Sequence, residues 1–405
     1  VASCHELLKV GIIPARRYGC REIPFCDASV CDDCMNPVPA VLNQSAIKAQ
    51  MDAVRNSTCP GLFCIAPALD GGIARLKFPC GQLNFTQAIA IADVAQRCHD
   101  TGNGNLELTN RANLQIRGMH DTGAPELIEK LLGAEIGPVA PDADHIRNLM
   151  VSPCAGIDSD AIIDTLPLAA RVLDILQRNT RFYELSPKFC FFLDGGESVA
   201  MLEHPNDLWF SALPPDGQLM AFGFAGCPPV QHLSAPALAA VPLVNVPELI
   251  ETVLQVFLDG APAAKMRMKQ LPATMSFDSF LNKVQQRLSF SLLRDVAHWR
   301  RRPVKPYGHI GSHRQRQSGL CYVGAKAVLG RLHGWQLRKL AVLASEFGDG
   351  TMRLTPWAGV LLPNVAESDA ATVLHEMNAV GLATAVENPF AHLVLRGGAC
   401  GPNYG

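Results

Sequence analysis

Hydrophobic and polar residues follow two different periods in the first regular segment of the chain. Ile73–Phe78 has the apolar content of a buried strand, and Thr86–Cys98 carries apolar residues at helical spacing before a glycine-rich turn. Residues 106–108 and 114–116 then alternate apolar with polar side chains, as half-buried strands do. This strand–helix–strand–strand order predicts half of a ferredoxin-like α+β unit, which a second copy would complete.

The same spacing of glycine, apolar and glutamine residues returns near the other end of the chain. The first copy contains Gly81, Leu83, Gln87, Ala92 and Ala95. The matching residues of the second copy are Gly330, Leu332, Gln336, Ala341 and Ala344. Two copies of one unit predict a duplicated architecture with a pseudo-twofold relation, and an asymmetric pocket where unlike loops of the copies face each other.

A second pattern, typical of an α/β domain, separates the two copies. It predicts helices at Asp164–Arg178 and around Leu249–Leu258. It predicts strands at Lys188–Leu193, near Ser198–Leu202 and at Leu208–Leu213. These elements are expected to form one layered domain between the repeats.

After the second copy, Ser368–Val380 is predicted to be a helix with Ser368 as its N-cap, followed by a strand at His392–Leu395. The repeat requires another α/β domain here, and the chain ends at Gly405, so this domain is expected to be truncated. The predicted fold is therefore α+β, with duplicated ferredoxin-like half-domains alternating with α/β domains. The predicted segments are an extension (1–50), half-domain 1 (51–125), the first α/β domain (140–300), a basic linker (301–318), half-domain 2 (319–365) and the start of the truncated domain (366–405).

Composition and charge narrow the function classes. The chain has 405 residues and a formal net charge of −2, which disfavours a nucleic-acid binder or a protein of acidic membrane surfaces. No apolar run reaches the ~18 residues of a membrane span, and no secretory signal is visible, so a cytoplasmic location is expected. The basic stretch Trp299–Arg316 is interpreted as a solvated linker, with a polyanion-binding segment as the alternative.

Fourteen cysteines are unevenly distributed, and in a reducing compartment they would be thiols or metal ligands. Cys20, Cys26, Cys31 and Cys34 crowd the first segment, where a zinc or cluster site competes with an extension that has no such role. Scattered cysteines with apolar neighbours are most simply buried thiols.

Arginine and lysine residues beside predicted strand ends are candidates for anion binding. Arg111 and Arg117 flank a strand reversal that also contains Asn113 and Gln115, and paired guanidinium groups bind carboxylates and oxyanions well. Elsewhere, Arg147-Asn148 precedes a short apolar strand, and Lys188 begins another. Taken alone, a residue of this kind is more often a surface or salt-bridged residue than part of a site.

The joint meaning of these residues comes from longer motifs. The motifs are Cys59-Pro60-Gly61, Asp70-Gly71 with Arg75, Thr109–Gly118, Arg147-Asn148, Ser152–Asp158, Pro187-Lys188-Phe189, Tyr322-Val323-Gly324 and Leu354–Trp357. Together they resemble the siroheme-type nitrite and sulfite reductase superfamily and, within it, most closely the precorrin-3B synthases. The resemblance covers roughly residues 55–400.

This resemblance implies roles for the matching positions. Arg111, Arg147 and Lys188 would be catalytic, surrounding an oxyanion or the carboxylates of a tetrapyrrole, and Cys190 stands where the reductases have a second lysine. The implied substrate-binding residues are Arg75, Asn113, Gln115, Arg117 and Asn148. The absent second lysine disfavours sulfite reduction, because a six-electron reduction consumes protons at a densely cationic site.

The resemblance also implies an activity and its cofactors. The expected enzyme is an oxidoreductase of the monooxygenase type that uses O2 and an electron donor to hydroxylate precorrin-3A and close a lactone in cobalamin biosynthesis. A siroheme-dependent nitrite or sulfite reductase and an inactive tetrapyrrole-binding fragment are the alternatives. The family's [4Fe-4S] cluster would use Cys400 as one ligand, the other ligands being absent from the chain, and a mononuclear non-heme iron is a further expectation.

Overall fold

The computed structural model of the protein describes residues 39–54, 59–101, 103–231, 234–260 and 266–393. Within these ranges the α-helices are α1 (Gln44–Val54), α2 (Phe85–Thr101), α3 (Ala124–Gly133), α4 (Leu166–Arg178), α5 (Val246–Gly260), α6 (Phe277–Gln285), α7 (Gly334–Phe347) and α8 (Ala370–Ala379). The 3₁₀ helices are Pro79–Gly81, Pro141–Ile146, Thr180–Glu184, Leu243–Asn245, Met268–Ala273, Val328–Gly330 and Pro389–His392.

Fifteen described strands form three five-stranded sheets. The strands are β1 (Ala66–Ala68), β2 (Gly71–Leu76), β3 (Gln82–Asn84), β4 (Leu106–Leu108), β5 (Leu114–Met119), β6 (Leu149–Val151), β7 (Phe191–Asp194), β8 (Asn206–Ala212), β9 (Leu219–Gly226), β10 (Ala239–Pro242), β11 (Gly311–Arg314), β12 (Leu320–Lys326), β13 (Arg331–Leu332), β14 (Thr351–Thr355) and β15 (Gly359–Ala366). The sheet orders are β1-β2-β5-β4-β13, β10-β9-β8-β7-β6 and β11-β12-β15-β14-β3.

The two repeats complete each other by exchanging a short strand. The first repeat gives β3 to the sheet of the second, where Leu83 pairs with Met352 of β14. In return the second repeat gives β13 to the sheet of the first, where Leu332 pairs with Leu106 of β4. Helices α2 and α7 cover these sheets, and a single hydrophobic core runs through both repeats. The predicted duplicated ferredoxin-like fold is confirmed.

Backbone conformation repeats together with the sequence. Gly81 and Gly330 occupy equivalent positions with φ of 68° and 64°. Ala112 and Ala358, in the turn after the equivalent strands β4 and β14, have φ of 55° and 58°. Because left-handed φ values are uncommon for alanine, this agreement supports a common ancestry of the two turns.

The α/β layer lies between the repeats in sequence. Strands β6, β7 and β8 are parallel, whereas β9 and β10 run antiparallel at one edge. Helices α4, α5 and α6 pack on one face of this sheet around a phenylalanine-rich core. The buried strands read as nearly continuous apolar runs because both faces of the sheet are covered.

Several local expectations need correction. Residues 199–202 are buried, but the segment 198–202 forms no strand, and the half-buried Ser198 is held instead by the Asp158 carboxylate. The N-cap of α8 is Asp369 rather than Ser368. His392 ends a 3₁₀ helix and Leu393 forms no strand, whereas residues 394–395 of the predicted strand lie outside the described residues.

The basic stretch at residues 299–316 is only partly a solvated linker. Arg302 and Arg314 are exposed, as expected. Arg301 is buried, and its guanidinium binds both carboxylate oxygens of Asp194, at 2.6 and 2.9 Å. Residues 311–314 form the edge strand β11.

Candidate functional site

The sheet of the first repeat has one apolar and one polar face. Along β2 and just beyond it, Ala74, Leu76 and Phe78 point into the core, so Arg75 and Lys77 lie on the opposite side. Gln115 of β5 is paired with Arg75 and therefore shares this polar face. The strand alternation thus places two cations next to each other on one surface.

A cavity of about 410 Å³ opens over this face. Its polar and ionisable lining residues are Cys59, Cys64, Arg75, Lys77, Asp142, Asp144, His145 and Tyr183. The apolar wall includes Ala53, Val54, Phe63, Pro141 and Pro187. The volume and the mixed lining are typical of a small-molecule site.

Arg75 is a cavity residue with an unused hydrogen-bond donor. Its Nε is buried and has no hydrogen-bond partner in the described part of the chain. Burial lowers the pKa of Arg75, and the nearby Arg111 lowers it further, whereas Cys59 and Asp144 raise it. A buried guanidinium with an unsatisfied donor is well suited to bind an anionic oxygen.

Lys77 and His145 were not identified from the sequence. The Lys77 ammonium donates to the His145 carbonyl at 2.7 Å, and His145 Nε2 lies 2.9 Å from the Tyr183 carbonyl. Burial lowers the pKa of Lys77 to about 8 and also lowers the pKa of His145. The period of two that links Lys77 to Arg75 was the available signal for Lys77.

Arg147 is buried behind the cavity wall. Its Nη2 donates to the Lys77 carbonyl at 2.8 Å, and its Nη1 lies 3.8 Å from Asp144 Oδ1. Burial lowers the pKa of Arg147, although Asp144 opposes this effect. Asp144 also accepts from the Leu62 amide at 2.8 Å, and a side chain at Gly61 would collide with its carboxylate. The segment around Gly61 is thereby fixed against the cations.

Arg111 connects the first repeat to the α/β layer. It lies in the turn after β4 and donates to Asn206 Oδ1 at 3.3 Å and to the Pro205 carbonyl at 3.4 Å. The positive charge of Arg111 lowers the pKa values of Arg75, His204 and Cys190. Arg111 is therefore near the cavity and available to a larger ligand.

Asn113 and Asn148 hold the backbone. Asn113 is buried and its Oδ1 accepts from the Phe78 amide at 2.9 Å. Asn148 Nδ2 lies within 3.0 Å of the carbonyls of His145, Pro187 and Phe189. The geometry therefore gives these amides a positioning role in place of the expected substrate contacts.

Arg117 differs from the expected anion clamp. Its Nε and Nη2 bind the two Asp70 carboxylate oxygens at 2.7 and 2.6 Å, and its Nη1 lies 3.3 Å from Glu107. Hydrogen bonding to Arg117 lowers the pKa of Asp70. Two protein carboxylates already occupy this guanidinium, so the structure does not support a substrate-binding role for Arg117.

Lys188 is exposed, and its neighbour Pro187 lines the cavity. Cys190 follows at the start of the buried sheet, where its Sγ lies 3.4 Å from Asp207 Oδ2 and 3.6 Å from Arg267 Nη2. Burial raises the pKa of the Cys190 thiol. Asp207 and Arg267 form an ion pair of 2.7 Å that the sequence did not reveal, since 60 residues separate them.

The described residues do not fit an iron–sulfur cluster or a mononuclear iron. A [4Fe-4S] cluster needs four thiolates that converge on one point, and no group of three or more Cys, His, Asp or Glu residues in the described ranges is arranged to bind a metal. Cys400 lies outside those ranges, as do Cys20, Cys26, Cys31 and Cys34. The cation-lined cavity does suit the carboxylates of a tetrapyrrole, since Arg75 Nε is a buried donor without a partner among the described residues.

Two family profiles match this chain, one in the two repeats and the other in the α/β layer. The nitrite/sulfite reductase ferredoxin-like half domain matches residues 67–134 and 313–380, and the nitrite and sulphite reductase 4Fe-4S domain matches residues 142–292. The chain belongs to the nitrite and sulphite reductase family. The relatives described next are oxidoreductases, which agrees with the expected enzyme class.

Individual relatives refine the comparison. The ferredoxin–nitrite reductase of Synechococcus elongatus is 31% identical over 75% of this chain, which spans 61% of that relative's length. A precorrin-3B synthase of Sinorhizobium sp is 33% identical over 36% of this chain and 30% of its own. The Mycobacterium tuberculosis NirA protein shares the fold, with a TM-score of 0.62, 20% identity and coverage of 78% of this chain and 57% of its own. The longer match is to the nitrite reductase, and the match to the precorrin-3B synthase is partial.

None of the described helices is both long and apolar enough to cross a membrane.

Proposed function

We propose that this chain is the oxyanion- and tetrapyrrole-binding part of a nitrite reductase-type oxidoreductase that receives electrons from a ferredoxin-class donor. The single observation that carries this proposal is the cavity that brings Arg75 and Lys77 together beside the buried Arg147. The long match to a ferredoxin–nitrite reductase supports the same function.

The proposed reaction converts nitrite to ammonium. It takes six electrons from the donor and eight protons from solvent, and both nitrite oxygens leave as water. Siroheme, when bound, would supply the iron at which this reduction occurs. The chain's own contribution is electrostatic: Arg75 offers a buried N–H donor to a negative oxygen, and Arg147 keeps the field positive from behind the wall.

The tetrapyrrole itself carries carboxylates that need cationic partners. Arg111, which lies near the cavity and reaches towards the α/β layer, is suited to this task together with the exposed Lys188. Arg111 and Lys188 lie in different loops, so they would bind different carboxylates of a large ligand.

A second candidate is the precorrin-3B synthase type, with precorrin-3A as substrate, O2 as co-substrate and an external electron donor. The observation that favours it is Cys190, a buried neutral thiol where the reductases have a second lysine. The partial match to the Sinorhizobium enzyme supports it independently.

The two candidates differ in substrate and oxidant. The full chain, produced in cells that overproduce siroheme, would be assayed without oxygen for ammonium formation from nitrite and reduced ferredoxin. Ammonium formation that is lost in Arg75→Met supports the proposal. Loss of precorrin-3A that requires O2, with no ammonium formed from nitrite, would instead establish the second candidate.

A further inference from the structure

Lys77 is a buried cation for which no role has yet been assigned. Only 6% of the residue is exposed, and that part faces the cavity. An ammonium group has three N–H donors. Among the described residues, Lys77 uses one of them, in the hydrogen bond to the His145 carbonyl at 2.7 Å. The backbone carbonyl of Lys77 meanwhile accepts from Arg147, so the residue is fixed at both ends.

Groups of both charge signs surround Lys77. Arg75 on its own strand and Arg147 from the far wall disfavour its protonated form, while Asp144 and Cys59 favour it. His145, whose carbonyl accepts the ammonium hydrogen bond, is itself disfavoured as a cation by Lys77. Three basic side chains, Arg75, Lys77 and Arg147, thus face two carboxylates. Asp144 also serves Leu62 and Arg147, and Asp142 accepts from Gln50 Nε2. The described residues leave this pocket with an excess of positive charge, which an anionic ligand would neutralise.

We propose that Lys77 is an anion-binding residue of the cavity, and that its ammonium donates to a carboxylate or oxyanion oxygen held at the same time by Arg75. This inference rests on the proposed function, because it assumes an anionic ligand at this site. It adds a residue that binds only in its protonated state. Since burial places the pKa of Lys77 near 8, the affinity for an anion should fall as the pH rises through that value.

The test measures binding of uroporphyrin III, an eight-carboxylate tetrapyrrole, to the full chain by fluorescence between pH 6.5 and 9.5. The variants are Lys77→Met, Lys77→Arg and Arg75→Met, and Lys283→Met is the matched control, because Lys283 is exposed on α6. The wild type should bind more weakly above about pH 8. Lys77→Met should bind roughly tenfold more weakly at pH 7 and lose this pH dependence. Lys77→Arg should bind well at every pH, since arginine stays protonated.

Two outcomes would overturn the inference in different ways. If Arg75→Met weakens binding while Lys77→Met matches the wild type at every pH, the cavity binds anions and Lys77 only supports the wall. If the wild type does not bind uroporphyrin and does not bind nitrite, the proposed function fails together with the inference. Thermal unfolding of each variant shows whether a variant that binds more weakly is still folded.

The oxygen that Lys77 binds can belong to the tetrapyrrole or to a free oxyanion. Broadening of the ¹⁵N-nitrite NMR signal on titration with protein measures the free anion separately. An effect of Lys77→Met on uroporphyrin alone assigns the lysine to a macrocycle carboxylate. An effect on nitrite alone assigns it to the substrate oxyanion.

Discussion

At the scale of single residues, the site separates arginines that are free to bind a ligand from arginines that are part of the framework. Arg75 and Arg117 lie on the same sheet face and look alike in the sequence. Arg117 has two carboxylate partners, one of them Asp70, which lies 47 residues away in the chain. Arg75 has a buried Nε without a partner among the described residues. No local pattern distinguishes them, because the distinction depends on contacts made after folding.

This difference predicts opposite effects on stability. Arg117→Met should lower the free energy of unfolding by about 1–3 kcal/mol, because Asp70 and Glu107 would be left facing each other without a cation. Arg75→Met should leave it unchanged or raise it, since a desolvated charge is removed. Urea denaturation of both variants at pH 7 measures the two changes. A larger loss for Arg75→Met than for Arg117→Met would contradict this assignment.

A second residue-scale feature is the buried acid pair Asp194 and Glu197. Asp194 is paired with Arg301 and accepts from the Ser211 hydroxyl. Glu197 is 0% exposed, and desolvation together with the charge of Asp194 raises its pKa well above 4.5. Glu197 is therefore the protonated partner over the acidic range.

The pH dependence of stability follows from the sign of this shift. The contribution of Glu197 to the free energy of unfolding is fully present below about pH 4.5. It is lost as the pH rises toward the higher pKa of Glu197 in the folded state, because this carboxyl ionises first in the unfolded chain. Glu197→Gln should remove this loss and still accept from the Gly195 amide. Asp194→Asn should instead cost about 3–5 kcal/mol by leaving Arg301 buried without its counter-ion. Guanidinium unfolding from pH 4 to 8 tests both; superimposable wild-type and Glu197→Gln curves would refute the explanation.

At the scale of elements, sequence periodicity predicted the secondary structure where local contacts decide it. The alternation in β4 and β5 and the helical spacing in α2 agree with the structure, because each pattern records one buried face. The same reasoning was wrong for residues 198–202. Most of them are apolar because they pack against the α/β sheet, but they form no strand. For β3 and β13, the sequence predicted only that a second copy would complete each half-unit, and it did not predict which strands are exchanged. The pairing partners lie more than 200 residues apart.

The strand exchange places unequal demands on two equivalent glycines. Both Gly81 and Gly330 have positive φ, but a Cβ at Gly81 would lie 2.7 Å from the Leu354 carbonyl oxygen, whereas one at Gly330 would meet the Ala358 methyl at 3.3 Å. Gly81→Ala should therefore cost roughly 2–4 kcal/mol and Gly330→Ala about 1 kcal/mol. Denaturant unfolding of the two single variants gives the comparison. Equal losses would mean that φ alone, and not the close approach to β14, sets the cost.

At the scale of the whole molecule, duplication has produced two turns that share a backbone conformation but carry different side chains. Arg111 precedes Ala112 in the first turn, and Trp357 precedes Ala358 in the second. Arg111 contacts Asn206 of the α/β layer, whereas Trp357 stacks on His309 with ring centroids 4.2 Å apart. Burial lowers the pKa of His309 to about 3, so this ring is neutral at physiological pH. The expected asymmetry between the repeats is thus one charged turn and one aromatic turn.

The second repeat is attached to the α/β layer through the backbone carbonyls of residues 153–161. Arg353 of β14 donates to the carbonyls of Pro153 and Ala155 at 2.9 and 2.7 Å. Arg316, an exposed residue, donates to the Ala161 carbonyl at 2.9 Å. Arg353 is 7% exposed, so its contacts are shielded from water while those of Arg316 are not.

This difference in burial predicts which arginine joins the two parts of the molecule. Arg353→Met should leave two buried carbonyls without their donor and lower the free energy of unfolding by roughly 2–4 kcal/mol. Arg316→Met, the matched control, should cost less than about 1 kcal/mol, because water can replace an exposed donor. Denaturant unfolding monitored by tryptophan fluorescence is a suitable measurement, since Trp209 lies in the α/β layer and Trp357 in the second repeat. Equal losses in the two variants would show that the attachment rests on apolar packing and not on the Arg353 contacts.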